Sequence, residues 1–189
     1  MPALPRRYDS PAMFLHWAIA LLVITQFLLA EFWDDFPHPT RHFLISTHMT
    51  LGIILTILLV VSLARGGFAG RPVGNGTMGL TAILAKLMHH LLYTLLVVQM
   101  LLGFATRWTD NHPLVFFGLN IPSPFGEFSK ATGHFVDHIH DWTAWTIIIL
   151  AGFHAAAALI HHFFWRDDVL RNMLPGSQRR LSPPVKSGT

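Results

Sequence analysis

The chain has 189 residues, of which 52% are hydrophobic and only 12% are charged. Because soluble domains carry about 25% charged residues, this composition excludes an ordinary water-soluble protein and indicates a single membrane domain over residues 1–189. The sequence contains no cysteine, which excludes disulfides, thiolate iron–sulfur clusters and covalently attached c-type haem. The 13 histidines are therefore the candidate metal ligands.

Four long apolar runs predict membrane-spanning helices, since about 20 apolar residues in a helix cross the hydrocarbon core. The first run opens with Ser10 and Pro11, which suit the N-cap and first positions of a helix. It is followed by "EFWDDF" rather than by a small-residue cleavage site, so we expect a membrane span and not a signal peptide. We therefore predict an all-α fold, an integral membrane four-helix bundle. Its spans are predicted at about 12–32, 42–64, 84–106 and 136–165.

The segments between the runs differ in character. A Gly- and Pro-rich stretch, "RGGFAGRPVGNGTMG", breaks the chain between the second and third spans. The connector 107–133 contains "NHPLVFFGLNIPSPF", which is too apolar for a free linker, and we expect it to fold against the membrane face as a lid. The basic tail at about 176–189 is predicted to be disordered.

The charged residues predict the orientation. An even number of spans places both termini on one side, and that side with the second loop holds ten Lys and Arg but three Asp and Glu. The opposite side holds three Lys and Arg but seven Asp and Glu. Because basic residues concentrate on the cytoplasmic side of a membrane, both termini are predicted to be cytoplasmic.

Histidines on the predicted spans form two pairs by depth. His140 and His154 are 14 residues apart on the fourth span, which is roughly 21 Å along a helix and about 40° round it. Antiparallel spans bring His16 to the depth of His154 near the inner face, and His48 to the depth of His140 near the outer face. Each pair could ligate a metal centre such as a haem iron inside the bundle. The alternative is that these are polar residues satisfied by bonds between helices.

Several other histidines are possible ligands. His89 enters the third span at the depth of the inner pair, and is either an alternative ligand or a hydrogen-bond donor to a haem propionate or a neighbouring helix. His134 and His138 lie roughly 160–200° round the helix from His154 and face elsewhere. The remaining outer histidines are expected to be solvated: His38, His42 and His112.

Two further groups of residues have open interpretations. Gly52 and Gly103 on the second and third spans either leave room for a flat macrocycle or allow close helix approach. A polar and aromatic cluster at the inner interface is either an interfacial anchor belt or a quinone-headgroup site. Its members are His161, His162, Trp165 and Arg166.

Four motifs carry a family resemblance over about Tyr8 to Pro175. They are "FLHW", "STHMTLGI", "HHLLYTLL" and the fourth-span pattern "IHDW" followed by "GFHAAAALIHHFFWRDD". Together they resemble the bacterial cytochrome b561 family, and most of all its superoxide oxidase type. The resemblance implies two haem b groups stacked across the membrane. Their axial ligands would be His16, His48, His140 and His154.

The resemblance also implies a function. A protein of this type is a membrane oxidoreductase of the bacterial inner membrane that oxidises superoxide at the periplasmic face and reduces ubiquinone. The expected partners are membrane lipid, ubiquinone and superoxide or another periplasmic one-electron donor, with no nucleic acid. A local basic patch would attract superoxide, and its candidates are Arg41, His42, Arg107, Lys130, His134 and His138.

Two other functions are compatible with the sequence. The first is a cytochrome b electron-carrier subunit that links a periplasmic redox partner to the quinone pool. The second is a His-rich metal transporter or sensor without haem. The second is disfavoured because the central runs of the first three spans contain no carboxylate, and ion paths through membranes usually need charge.

Overall fold

The protein is a bundle of four long helices. The structure is a computed structural model that describes residues 10–66, 80–166, 170 and 173. All four helices are long and apolar enough to cross a membrane, so the chain is a multi-pass, mostly helical membrane protein. The predicted disordered tail at 176–189 and most of the Gly-rich second loop lie outside the described residues. The helices are α1 (Ser10–Phe32), α2 (His38–Ala64), α3 (Leu80–Thr109) and α4 (Lys130–Phe163).

Polar turns extend the helices beyond the apolar spans predicted from the sequence. α2 begins at His38 rather than 42, because Pro37 is the N-cap and Pro39 lies in the first turn, where its missing N–H costs no hydrogen bond. α4 begins six residues before the predicted 136, where the Ser129 hydroxyl accepts a hydrogen bond from the Thr132 N–H at 3.2 Å. At the other end of α4 the predicted limit of 165 is too late, since the helix ends at Phe163.

A two-stranded antiparallel hairpin is the departure from the all-α expectation in the described part of the chain. It lies in the connector before α4 and pairs β1 (Leu114–Phe116) with β2 (Leu119–Ile121). The two turn residues, Phe117 and Gly118, have φ of 45° and 81°. Positive φ at both central positions matches the right-handed twist of a hairpin.

The hairpin packs on α2 at Met49 and Thr50, about three turns into that helix. The Val115 N–H approaches the Met49 sulfur at 3.5 Å, and the Phe117 N–H approaches the Thr50 hydroxyl at 3.4 Å. Leu114, the first residue of β1, is buried. The connector therefore folds back on one end of the bundle.

The largest helix contacts are between α1 and α2 and between α3 and α4. A small apolar core at mid-height receives side chains from every helix. The outward faces carry exposed hydrophobic side chains, and Phe14, Leu21 and Leu101 are each 65% or more exposed. Apolar surface of this extent is the surface that lipid covers in a membrane protein. The core residues are Ile19, Leu55, Leu59, Leu96 and Ile147.

Candidate functional site

A cavity of about 500 Å³ opens at the end of the bundle where α1 and α3 finish and α2 and α4 begin. We call this the outer end and the opposite one the inner end, following the orientation predicted from the charges. His48 and His140 both line the cavity, as do Gly52 and Gly103. The volume is typical of sites that hold small molecules and cofactors.

His48 is held by a reciprocal pair of hydrogen bonds with α1. Its Nδ1–H donates to the main-chain carbonyl of Gln26 at 3.1 Å, and the Gln26 side-chain amide donates to the His48 carbonyl at 2.9 Å. The Trp33 ring packs edge-on against the imidazole with 5.3 Å between ring centroids. Fixing Nδ1 in this way leaves Nε2 directed away from the bond to α1, which is the arrangement that metal-binding histidines usually have.

His140 faces the same cavity from α4. Its Nε2 lies 3.3 Å from the Gln99 side-chain nitrogen, while its Nδ1 is buried and has no hydrogen-bond partner among the described residues. A buried polar atom without a partner costs about 1–3 kcal/mol. The ring is therefore polar, half-buried and incompletely bonded within the described residues, as expected of a side chain whose partner is a cofactor.

The two glycines show which groups need space at the outer end. A Cβ at Gly103 would meet His140 Cε1 at 3.2 Å, and a Cβ at Gly52 would meet Gln26 Nε2 at 3.0 Å. Gly103 therefore makes room for the His140 ring, and Gly52 makes room for the amide that holds His48. With two imidazoles lining a cavity of this size, these residues fit a flat cofactor that His48 and His140 would hold.

The charge around the cavity is negative on balance. Among the described residues, Arg41 and Arg107 are the only members of the predicted basic patch that line the cavity. Arg41 forms an ion pair with Asp34 at 2.7 Å. Five carboxylates lie among the lining residues, so the formal balance is 2 − 5 = −3. They are Glu31, Asp34, Asp110, Asp137 and Asp141.

At the inner end, the His16 and His154 rings face each other with 6.5 Å between their centroids. With a metal–nitrogen distance of about 2 Å, two imidazoles on opposite sides of one metal have centroids roughly 6 Å apart. The observed separation therefore leaves room for a metal between the two rings, and the role of both histidines as ligands stays a prediction.

The His89 ring lies closer to His154 than the His16 ring does. This short distance argues against His89 as the second ligand of a metal bound to His154. The His89 and His154 centroids are 4.8 Å apart in an edge-on contact, which leaves too little space for a metal between the rings. The His89 Nδ1–H donates to the Ala85 carbonyl at 2.7 Å. His89 therefore flanks the inner pair, and its exclusion as a ligand stays a prediction.

The apolar core separates the two histidine pairs. Ile147 lies seven residues from both His140 and His154 on the same stripe of α4 and is 3% exposed. Leu55 and Leu96 pack beside it from α2 and α3. The bundle therefore holds one histidine pair above this layer and one below it.

The predicted inner cluster is only partly assembled. His161 contacts Trp165 edge-on with 4.3 Å between ring centroids, and His162 has a buried Nδ1 with no hydrogen-bond partner among the described residues. Arg166 lies beyond the end of α4, is exposed and has a φ of 52°. A quinone role for these residues stays a prediction.

Sequence reasoning missed the two glutamines at the outer end. Gln26 and Gln99 are 8% and 9% exposed and contact His48 and His140 respectively. An amide within an otherwise apolar membrane span was the available sign, because polar groups inside a membrane are costly and usually have a specific partner.

Four membrane-length helices with histidine pairs at both ends and a cofactor-sized cavity are features of a membrane cytochrome b. The sequence profile of the prokaryotic cytochrome b561 family matches residues 7–176, so the chain belongs to this family. Membership implies haem b as the cofactor, membrane electron transfer as the activity and a bacterial multi-pass membrane protein.

Curated relatives match over nearly their whole lengths. Cytochrome b561 homolog 2 of Escherichia coli is 28% identical over 178 residues, 90% of this chain and 92% of the relative. Cytochrome b561 homolog 1 of the same organism is 27% identical over 172 residues, 89% of this chain and 97% of the relative. A probable superoxide oxidase CybB of Yersinia pestis is 24% identical over 174 residues, 90% of this chain and 97% of the relative.

Proposed function

We propose that the chain is a dihaem electron-transfer enzyme of the bacterial inner membrane that oxidises superoxide at its periplasmic face and reduces ubiquinone. The observation that carries the proposal is the presence of one histidine pair at each end of one bundle. His48 and His140 share the outer cavity, and His16 faces His154 at the inner end. The relative named as a probable superoxide oxidase supports the choice of donor.

The residues would act by holding and insulating the cofactors. Haem b supplies one-electron redox chemistry when bound. His48 with His140 would hold one group and His16 with His154 the other, and bis-histidine ligation would favour electron transfer over oxygen binding. Gln26 holds the His48 ring through the reciprocal hydrogen bonds, and the core layer around Ile147 excludes water between the two ends.

The proposal includes the direction across the membrane. Ten of the 13 Lys and Arg belong to the termini and the second loop, which supports cytoplasmic termini and a periplasmic outer cavity. Ubiquinone would approach the inner end, where His161, His162, Trp165 and Arg166 are the candidate contacts. The buried His162 Nδ1 has no hydrogen-bond partner in the described part of the chain and would be available for a quinone oxygen.

The first test is the pyridine haemochrome of the purified protein. The expected result is about two b-type haems per chain. Reconstitution with ubiquinone and a superoxide generator should then give quinone reduction that superoxide dismutase abolishes. One haem, or quinone reduction insensitive to the dismutase, would contradict the proposal.

A second candidate is an electron-carrier subunit for a periplasmic redox partner. It is favoured by the outer connector, where Phe117, Leu119 and Phe125 are 59–72% exposed beside the acidic cavity. Such a surface is suited to docking a protein with a basic, apolar face. Co-purification of a stoichiometric periplasmic redox protein, together with no superoxide-driven quinone reduction by the isolated chain, would favour this candidate.

A further inference from the structure

Two exposed histidines at the start of α2 point the same ring nitrogen at one another. His38 and His42 lie one helical turn apart, with 3.2 Å between their Nε2 atoms and 4.4 Å between ring centroids. The spacing H-x-x-x-H on a helix is the spacing with which zinc enzymes present two imidazoles to one metal. The sequence suggested only that both residues would be solvated.

The distance between the two nitrogens fits bidentate chelation. Two nitrogens bound about 2.0 Å from a tetrahedral metal lie roughly 3.3 Å apart. The observed 3.2 Å is also a hydrogen-bond distance between the two rings, so a metal ion would replace the shared proton and each ring would turn its Nε2 lone pair toward the ion. The start of α2 is held in place, because Pro37 is its N-cap and the Pro37 carbonyl accepts a hydrogen bond from the Arg41 N–H at 3.0 Å.

The surrounding charges do not oppose a cation. Arg41 is the basic side chain nearest in sequence, and Asp34 already neutralises it at 2.7 Å. Asp35 adds a second carboxylate in the 3₁₀ turn Trp33–Asp35 that precedes α2. With Asp34 paired to Arg41, Asp35 is the carboxylate that offsets the positive end of the α2 dipole.

We infer that His38 and His42 form a binding site for a divalent transition-metal ion at the outer face, separate from the haem ligands. Imidazole nitrogen favours Cu²⁺ and Zn²⁺, with Cu²⁺ bound more tightly. No group of three or more His, Asp or Glu able to hold a metal occurs in the described part of the chain. Water would therefore complete the coordination, and the ion would exchange readily.

A second H-x-x-x-H pair provides an internal comparison. His134 and His138 on α4 have the same spacing and are also exposed. No contact between their rings occurs among the described residues, so the nitrogens do not converge as they do on α2. If spacing alone were enough, both pairs would bind metal equally.

Bound metal would also change the charge at the cavity mouth, and this consequence rests on the proposed function. Arg41 lies between the two histidines in sequence and lines the outer cavity. A dication at this position would offset part of the acidic balance and favour the approach of an anion. Redox-inert Zn²⁺ should then increase the initial rate with superoxide.

The site is tested by calorimetric titration of Zn²⁺ into the chelator-treated, haem-loaded full chain carrying no histidine tag. We expect about one saturable site per chain, lost in His42→Gln and in His38→Gln. It should persist in His112→Gln, another exposed outer histidine, and in His134→Gln/His138→Gln. Electron paramagnetic resonance with Cu²⁺ should show two nitrogen ligands in the wild type and one in each single α2 variant.

Three results would overturn the inference. They are unchanged Zn²⁺ binding in both α2 variants, loss of binding only in the α4 double variant, and a Cu²⁺ spectrum without two nitrogen ligands. An unchanged haem spectrum in every variant confirms that the bundle is folded. Metal binding without an effect on the superoxide rate would support the site and contradict the steering of superoxide, so the two hypotheses fail separately.

Discussion

At the scale of single residues, the outer histidines depend on polar neighbours that hydrophobic patterning does not reveal. The Gln26 amide and carbonyl both bond to His48, although the two residues are 22 positions apart on different helices. The depth of His48 could be predicted from the start of its span, but not this contact, which depends on how α1 and α2 are rotated. The space beside Gly52 that accommodates the Gln26 amide depends on the same rotation of α1 and α2.

Replacing Gln26 with Leu should loosen the outer site. The variant removes the side-chain donor to the His48 main-chain carbonyl at a similar side-chain volume, but it keeps the Gln26 main-chain carbonyl that accepts from the His48 ring. The His48 backbone should therefore lose part of its attachment to α1, and the ring should be less firmly positioned. The haem-to-protein ratio after detergent dilution should fall from about two toward one. Tyr93→Phe is the control, since the Tyr93 hydroxyl bonds to Ser62 at 2.8 Å near the core layer. Equal haem loss in both variants would count against a specific role for Gln26.

Replacing His16 and His89 separately should identify the inner ligand. His16→Ala should lose one haem, because the 6.5 Å ring separation from His154 suits a shared metal. His89→Ala should retain both haems, because the 4.8 Å separation does not. Haemochrome quantitation decides between them, and the opposite pattern would make His89 the ligand.

At the scale of elements, apolar length and proline placement predicted the helices, whereas the hairpin could not be predicted from periodicity. Its strands have three residues each, too few for an alternating pattern to be recognised. Its turn has Gly at one position but Phe117 at the other, where a positive φ is unusual for a bulky residue. Contacts with Met49 and Thr50 of α2 help to hold this conformation.

The spacing between α3 and α4 should be sensitive to one methyl group at Gly103. A Cβ there would meet the His140 ring at 3.2 Å, whereas a Cβ at Gly152 has no neighbour within 4 Å. Gly103→Ala should therefore displace His140 and lower haem content, despite the gain of about 0.5–1 kcal/mol from Gly to Ala in a helix. Gly152→Ala should gain that stability and keep its haem. Haem content and thermal unfolding measure the two effects, and identical behaviour would refute the steric argument.

At the scale of the whole molecule, the histidine pairs and the charge asymmetry belong to one arrangement. The basic termini favour an orientation that turns the acidic cavity outward, and antiparallel helices place one histidine pair at each face. The sequence-based depth pairing therefore matches the arrangement in the structure, whereas the role of the four histidines as ligands is a prediction. The acidic balance of the outer face follows from the sequence, whereas the expected basic patch is divided, with only Arg41 and Arg107 lining the cavity.

The acidic cavity makes the salt dependence of the reaction informative about the donor. The lining has two guanidinium groups and five carboxylates, a formal balance of −3. Superoxide is an anion, so the negative charge at the mouth of the outer cavity repels it. Added salt should weaken this repulsion, because the Debye length falls from about 30 Å at 0.01 M to about 10 Å at 0.1 M. The rate constant with superoxide should therefore rise with ionic strength.

The control variant is Asp141→Asn, which removes one lining carboxylate and should raise the low-salt rate while flattening the salt dependence. A rate with superoxide that falls steeply as salt is added would mean that attraction governs its approach, and would contradict this account of the outer face. A cationic protein donor should behave in the opposite way, reacting more slowly as salt is added. Stopped-flow haem reduction across this range of ionic strength, with each donor in turn, would therefore distinguish the superoxide oxidase from the electron-carrier subunit.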